Sequence, residues 1–251
     1  MPSALEVQPG TGPLHGYTVI ELSTGIAGAY CTKLLADGGA HVIKVESPQG
    51  DPLRRWSASG ADIAPGDDGA LFSFLACSKH SVVADPGDNE FVGFVSELLA
   101  RADAVVWSRG SAVADCDAFT PAALRRSHPH LTVTSITSFG LEGPWRDRPA
   151  TEFTLQAWSG GIVGLGRGSP DRAPVFVGGQ VGEYLAGAYA SAATLASRLR
   201  GGGELLHCPC SKSRFWGVRI FRLPTSRCSG GHGGTPARSP CPGSPKRKTD
   251  W

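Results

Sequence analysis

Apolar and polar positions along most of the chain fall into blocks whose period switches from strand-like to helix-like and back. Tyr17 to Leu22 reads as a first strand, followed by the loop Ser23-Thr24-Gly25-Ile26-Ala27-Gly28. Ala27, Tyr30, Cys31, Leu34 and Leu35 then recur at helical spacing on one face. Gly38-Gly39 ends that helix, and His41 to Glu46 is a second strand. A strand, helix and strand joined this closely place two parallel strands side by side through a right-handed crossover. After a polar connection, Leu71 to Leu75 opens an apolar segment that leads through Ala76-Cys77-Ser78-Lys79-His80 into a short strand, Ser81 to Ala84. Pro86-Gly87-Asp88 starts a helix reaching Arg101, Ala104 to Trp107 is the next strand, and Leu131 to Ser135 is the fifth. Between these last two, Thr120-Pro121 puts a cap and a proline at the head of a helix ending near His128. Alternation of this kind predicts an α/β chain with a largely parallel sheet.

Beyond the fifth strand the pattern is interrupted by a loop bounded by Gly143-Pro144 and Pro149, in which Arg146, Asp147 and Arg148 cluster. Glu152 stands directly before an apolar run that reads as a helix start. Proline and glycine stiffen the approach, so this carboxylate is better placed than an ordinary loop acid. It can serve as a nucleophile; equally, it can cap the helix or pair with Arg146 or Arg148. Gly178-Gly179-Gln180 then precede a helix from about Glu183 to Leu199. Its expected buried face is Val181, Tyr184, Leu185, Ala188, Ala192, Leu195, Ala196 and Leu199, and its alanines with Gly187 imply close packing on a second helix.

Composition divides the chain. The net charge of +2 over 251 residues is made of a balance of −6 in residues 1–206 and nine Lys/Arg against one acid in residues 207–251. The basic character is confined to the tail and gives no reason to expect nucleic-acid binding. No apolar run approaches the ~20 residues of a membrane span, and the first residues lack the layout of a secretory signal. The expectation is a cytoplasmic protein with no membrane association. The cysteines do not form a disulfide framework, and Cys208-x-Cys210 with Cys228, Cys241, His207 and His232 matches no common zinc spacing, so no metal is expected. The first loop offers Gly25-x-x-Gly28, short of a dinucleotide fingerprint, and Glu46 at the end of the second strand reads as solvated sooner than ribose-binding. Lys79, in a turn before a strand, either faces solvent or meets a phosphate as a point charge.

In sequence order, several pieces resemble the family III CoA-transferases, also called the carnitine dehydratase and bile-acid-inducible protein family. They are Ile20-Glu21-Leu22-Ser23 with Ala27-Gly28, then Leu34-Leu35-Ala36-Asp37-Gly38-Gly39-Ala40, and Val42-Ile43-Lys44-Val45-Glu46 with Gly50-Asp51-Pro52. Phe74-Leu75 with Lys79 and Ser81 follow, then Ser135 to Gly140 with Gly143-Pro144, and Arg148-Pro149 through Gln156-Ala157 to Ser159-Gly160. The resemblance implies a Rossmann-like, parallel-sheet CoA-binding domain, the start of a second smaller region, and an interlocked homodimer. It implies that Gly25, Ile26 and Ala27 with Lys79 contact the CoA nucleotide, that Gly178 and Gly179 line the site, and that the carboxylate after Arg148-Pro149 takes the acyl group. Aspartate is usual there; this chain has Glu152. The implied activity moves CoA from an acyl-CoA to a carboxylic acid through an enzyme-bound anhydride and glutamyl thioester. A racemase branch of the fold carries Gly-His-Asp at this loop, where this chain has Ala150-Thr151-Glu152.

The family pattern holds through Leu206 and is lost at His207. Residues 207–251 contain six prolines, six glycines and six serines without a sustained period, which predicts an irregular tail. The expected division is a disordered lead over 1–13, the family's N-terminal region over 14–206, and the tail. The codons of the first tail residues permit a family-like continuation in a shifted frame, so the C-terminal half of the family fold is expected to be absent. A non-catalytic fragment that keeps the CoA-binding layout is the rival reading.

Overall fold

A computed structural model describes residues 12–160, 162, 175 and 177–213. In chain order the regular elements are β1 (Thr18–Leu22), α1 (Ile26–Asp37), β2 (His41–Glu46), α2 (Ala70–Ala76), β3 (His80–Val83), α3 (Phe91–Ala100) and β4 (Ala104–Ser108). They continue with α4 (Pro121–Ser127), β5 (Thr132–Thr137), α5 (Glu152–Trp158), α6 (Val181–Leu199), β6 (Leu205–Pro209) and α7 (Cys210–Ser213). The strands form one sheet in the order β3-β2-β1-β4-β5-β6, and every neighbouring pair is parallel. The α/β expectation is met.

A parallel sheet is covered on both faces, and its strands are buried accordingly. β4 is buried at every position. Ala104 and Val106 join the apolar cluster with Ala27, Cys31 and Leu35 of α1 and Ala186, Ala190 and Ala193 of α6. Val105 and Trp107 join the cluster with Phe91, Val95 and Leu99 of α3 and Leu124 of α4. Helices α1 and α6 thus cover one face, and α3 and α4 the other. The helix expected from Pro86 begins only at Phe91 because Asp85 and Asp88 fold the intervening residues into turns, Gly87 N donating to Asp85 Oδ1 at 2.9 Å and Glu90 N to Asp88 Oδ1 at 3.1 Å.

Three expectations are corrected. The buried face of α6 is the small one: Gly182, Ala186, Gly187, Ala190, Ser191, Ala193, Thr194 and Ser197 are buried, whereas Leu185, Tyr189 and Leu199 are exposed. Close approach decides this, since a Cβ on Gly187 would lie 2.5 Å from the carbonyl oxygen of Ala27. Hydroxyls complete the contact, Thr194 meeting Thr134 at 2.7 Å and Ser197 meeting Thr132 at 3.1 Å. Secondly, Glu46 is buried, taking hydrogen bonds from Arg54 Nε (2.7 Å), Asp51 N (2.8 Å) and Ser81. Thirdly, the pattern break at His207 falls inside a strand. β6 pairs with β5 from Val133↔Leu205 to Thr137↔Pro209, because backbone pairing at a sheet edge tolerates sequences that lack alternation. Residues 1–11 and 214–251, which carry the rest of the expected lead and tail and include Cys228, His232 and Cys241, lie outside the described residues.

Candidate active site

The strand order reverses between β1 and β4, with β2 on one side and β5 on the other. In open α/β sheets the crevice beyond the carboxyl ends of the strands at such a reversal is where ligands bind. A cleft of about 430 Å³ opens there. Thr24 and Gly25 contribute from the end of β1, Ser108 and Arg109 from the end of β4, and Thr137 and Ser138 from the end of β5. Glu152 and Leu155 of α5 and Gln180 and Glu183 at the head of α6 close it.

Glu152 occupies the first position of α5, and the cap is the residue before it. Thr151 Oγ1 accepts from Thr154 N at 3.3 Å while Thr154 Oγ1 accepts from Thr151 N at 2.8 Å, a reciprocal capping box. Capping is therefore the task of Thr151. Glu152 Oε1 accepts from Gln156 Nε2 at 2.8 Å, one turn on, and from Gly182 N at 2.9 Å. Gln156 is buried and fixed in turn, its carboxamide exchanging bonds of 2.6 and 2.9 Å with the backbone of Val177. The arginines that could have claimed Glu152 have other company. Arg146 pairs with Asp147 at 2.8 Å, Asp147 also holds Arg109 at 2.8 Å, and the Arg148 guanidinium lies 5.4 Å from the ring centres of both Trp145 and Trp158. The Arg146 hydrogen bond holds the Asp147 carboxyl below the usual range.

Gly25 sits at the N-cap of α1 with φ 83°, a conformation that favours glycine. Ile26 N and Ala27 N both donate to Glu183 Oε2, at 2.9 and 3.3 Å. Thr24 N donates to Ser108 Oγ (2.9 Å) and Ser108 Oγ donates to Thr24 O (3.0 Å), which ties the loops after β1 and β4 together. Gly25 and Ala27 thus line the cleft with Glu152, whereas Gly178 and Gly179 lead toward it and Gln180, in the left-handed region at φ 59°, is the residue that lines it.

Lys79 is elsewhere. Its ammonium is buried and donates to Ala29 O (2.8 Å), Thr32 Oγ1 (2.7 Å) and Glu21 Oε2 (3.0 Å), facing neither solvent nor the cleft. Glu21 is fully buried and also pairs with Lys44 at 2.9 Å, its register partner across β1 and β2. Burial alone would raise the Glu21 carboxyl, but Lys44, Lys79 and the Thr32 hydroxyl reverse the effect and hold it at about 2. Burial pulls the Lys79 ammonium below its ordinary value, with Glu21 opposing. Lys44 is raised, the pull of Glu21 and of Asp51 at 2.7 Å outweighing its burial. Sequence reading missed this cluster, although Glu21 and Lys44 sit at matching positions of adjacent strands. It also missed Glu183, visible only as an acid in the first turn of a helix, and Ser108 and Arg109, whose place depends on the strand order. His128 and His130 offer no base to Glu152: His130 lines a separate depression with Asp103 and Thr132 at the amino ends of β4 and β5.

Residues 14–203 match the profile of CoA-transferase family III. The chain belongs to that family. A succinate–glutarate CoA-transferase of Agrobacterium fabrum is 35% identical over 191 residues, covering 74% of this chain and 46% of that protein. A formyl-CoA:oxalate CoA-transferase of Streptomyces avermitilis is 32% identical over 187 residues, covering 74% and 44%. Among solved structures, a CAIB/BAIF family protein from Brucella suis superposes with a TM-score of 0.67 at 34% identity, covering 80% of this chain and 54% of that one. The chain spans about half the length of the curated relatives it matches. The cleft residues from Thr24 to Glu183 fall within the stretch that matches the family. Among the described residues no helix is long and apolar enough to cross a membrane.

Proposed function

We propose that this family III protein transfers CoA between an acyl-CoA thioester and a free carboxylic acid, with Glu152 as the acyl-accepting carboxylate. The observation that carries the reading is the place of Glu152: it lines the cleft at the strand-order reversal and is anchored through Oε1 by a backbone amide and a buried carboxamide. Fixed orientation is what a nucleophile needs, because correct placement substitutes for reactivity. The names of the relatives, each a CoA-transferase acting between thioesters and acids, support the substrate class.

The steps balance without an external proton. A Glu152 oxygen attacks the thioester carbonyl, a C–O bond forms, the C–S bond breaks, and CoA leaves as a thiolate beside a mixed anhydride. The thiolate then attacks the glutamyl carbonyl and expels the first acid as its carboxylate, leaving a glutamyl-CoA thioester. The acceptor carboxylate repeats the sequence in reverse: it displaces the thiolate to form a second anhydride, and the thiolate attacks the acceptor's carbonyl, regenerating Glu152. In this reading Gly25, Ile26 and Ala27 border bound CoA beside Glu152 and not, as the resemblance implied, at the CoA phosphates, because the amides of Ile26 and Ala27 are taken by Glu183. Lys79 supports their helix from below through Glu21 and Ala29, and Gly178 and Gly179 deliver Gln180 to the rim.

The test compares transfer from an acyl-CoA to a free acid in the chain and in Glu152→Ala. Transfer that disappears in the variant, together with borohydride or hydroxylamine modification at position 152 during turnover, supports the role. Equal rates, including zero in both, remove it and leave a chain that keeps the CoA-binding layout without turnover. The same reading carries a homodimer whose partner covers exposed apolar surface such as Leu185 and Tyr189, and sedimentation at increasing concentration measures it.

A further inference from the structure

Helix α1 begins without a capping side chain of its own. Gly25 stands at its N-cap, and the hydroxyls beside it are engaged, Ser23 Oγ with Glu21 at 3.4 Å and Thr24 Oγ1 with Arg109 O at 3.1 Å. A helix start leaves amides that need acceptors and carries a partial positive charge that favours a carboxylate. The acceptor comes from 157 residues along the chain: Glu183 Oε2 takes Ile26 N at 2.9 Å and Ala27 N at 3.3 Å. The residue before it, Gly182, gives its own amide to Glu152 Oε1 at 2.9 Å. One turn of α6 therefore holds the Glu152 carboxylate by its backbone and the cleft's opposite rim by the next side chain. There is no slack one turn further on, where Gly187 packs so closely on Ala27 O that a Cβ would sit 2.5 Å from it.

We propose that Glu183 is a positioning residue for the transfer reaction. Its carboxylate sets the distance between the rim at Gly25–Ala27 and Glu152, and by filling the Ile26 and Ala27 amides it keeps this helix start from capturing a substrate carboxylate or phosphate. The inference rests on the transferase reading above, so its test has one arm that needs no turnover.

Amide hydrogen exchange at residues 26 and 27 is measured in the full chain and in Glu183→Ala, Glu183→Gln and Glu183→Asp. Exchange about tenfold faster is expected in the Ala variant, which lacks the acceptor, and in the Asp variant, which keeps the charge but is one methylene short. The Gln variant, whose carboxamide oxygen still reaches, is expected near the parent rate. In the transfer assay the Ala variant should lose on the order of 10²-fold in kcat, with KM for the acyl-CoA moving less than about threefold, and Gln should restore most of it. Unchanged exchange in both the Ala and Asp variants overturns the proposal, as does a rise in KM with kcat intact. If the Ala variant does not fold, the Asp and Gln pair decides it alone. A parent chain that transfers nothing removes the transferase reading and the kinetic role together, whereas faster exchange in the Ala and Asp variants still establishes the lock between α6 and α1.

Discussion

Glu21 and Glu152 both lie toward the carboxyl ends of the strands, and the fold treats them in opposite ways. Glu21 is sealed beneath α1 between two ammonium groups, with Thr32 supplying a further hydrogen bond. Glu152 borders a cleft, and its Oε1 takes hydrogen bonds from the Gly182 backbone amide and the Gln156 carboxamide. A carboxylate between two cations is stabilised as an anion in the core; Glu152 is instead oriented against the wall of a cavity by a backbone amide and a carboxamide. The difference separates a structural acid from a candidate nucleophile more clearly than sequence position does.

The largest break in that comparison is expected from Glu152→Ala, which should lower kcat by about 10⁴-fold or more, the scale seen when a nucleophile is removed, while melting shifts little. Next comes Glu21→Gln, which should do the reverse. Leaving Lys44 and Lys79 buried without their shared counter-charge is expected to cost about 3–5 kcal/mol, measured by urea unfolding. The same contrast appears in pH. The Glu21 carboxyl, about 2 in the folded protein against an ordinary 4.5, contributes stability that is complete above pH 4.5 and is lost as pH falls toward 2. Glu46, also near 2 because Arg54 and Ser81 overcome its burial, works in the same window. Stability measured between pH 5 and pH 2 should therefore drop steeply in the parent and less steeply in Glu21→Gln. A smaller effect is expected from Glu152→Asp: withdrawing the carboxylate by about 1 Å should reduce kcat by roughly 10²-fold, since Gln156 and Gly182 hold the longer side chain.

What the sequence displayed and what it hid follow from range. Strand and helix periodicity is local, so β2 was placed at His41–Glu46 and the parallel sheet was anticipated. The carboxylate of Glu152 was also legible, because proline, glycine and a helix start surround it within a few residues. The partners of Lys79 were not, since Glu21 is 58 residues away and only the fold brings them together. The same holds for Glu183 and the amides of α1. β6 was hidden because an edge strand can borrow its order from β5 without a pattern of its own.

Helix α6 offers the last and smallest contrast, within a single element. The expected face ran through Tyr184, Leu185, Ala188, Ala192, Leu195, Ala196 and Leu199, but the observed contact is made by other glycine, alanine, serine and threonine residues, with Gly187 giving the close helix packing that its presence implied. A close approach to α1 gains dispersion along the whole contact, and Thr194 and Ser197 satisfy their hydroxyls on β5. Gly187→Ala should therefore cost about 1–3 kcal/mol, because the new methyl meets a backbone carbonyl that cannot move aside like a flexible side chain. Leu199→Ser, a far greater loss of apolar surface, should change monomer stability by no more than about 0.5 kcal/mol, since the side chain is 89% exposed. Chemical denaturation of the two variants side by side measures both. A large loss at Leu199 with none at Gly187 would mean that α6 packs through its bulky face, and the arrangement that ties Glu183 to α1 would fall with it.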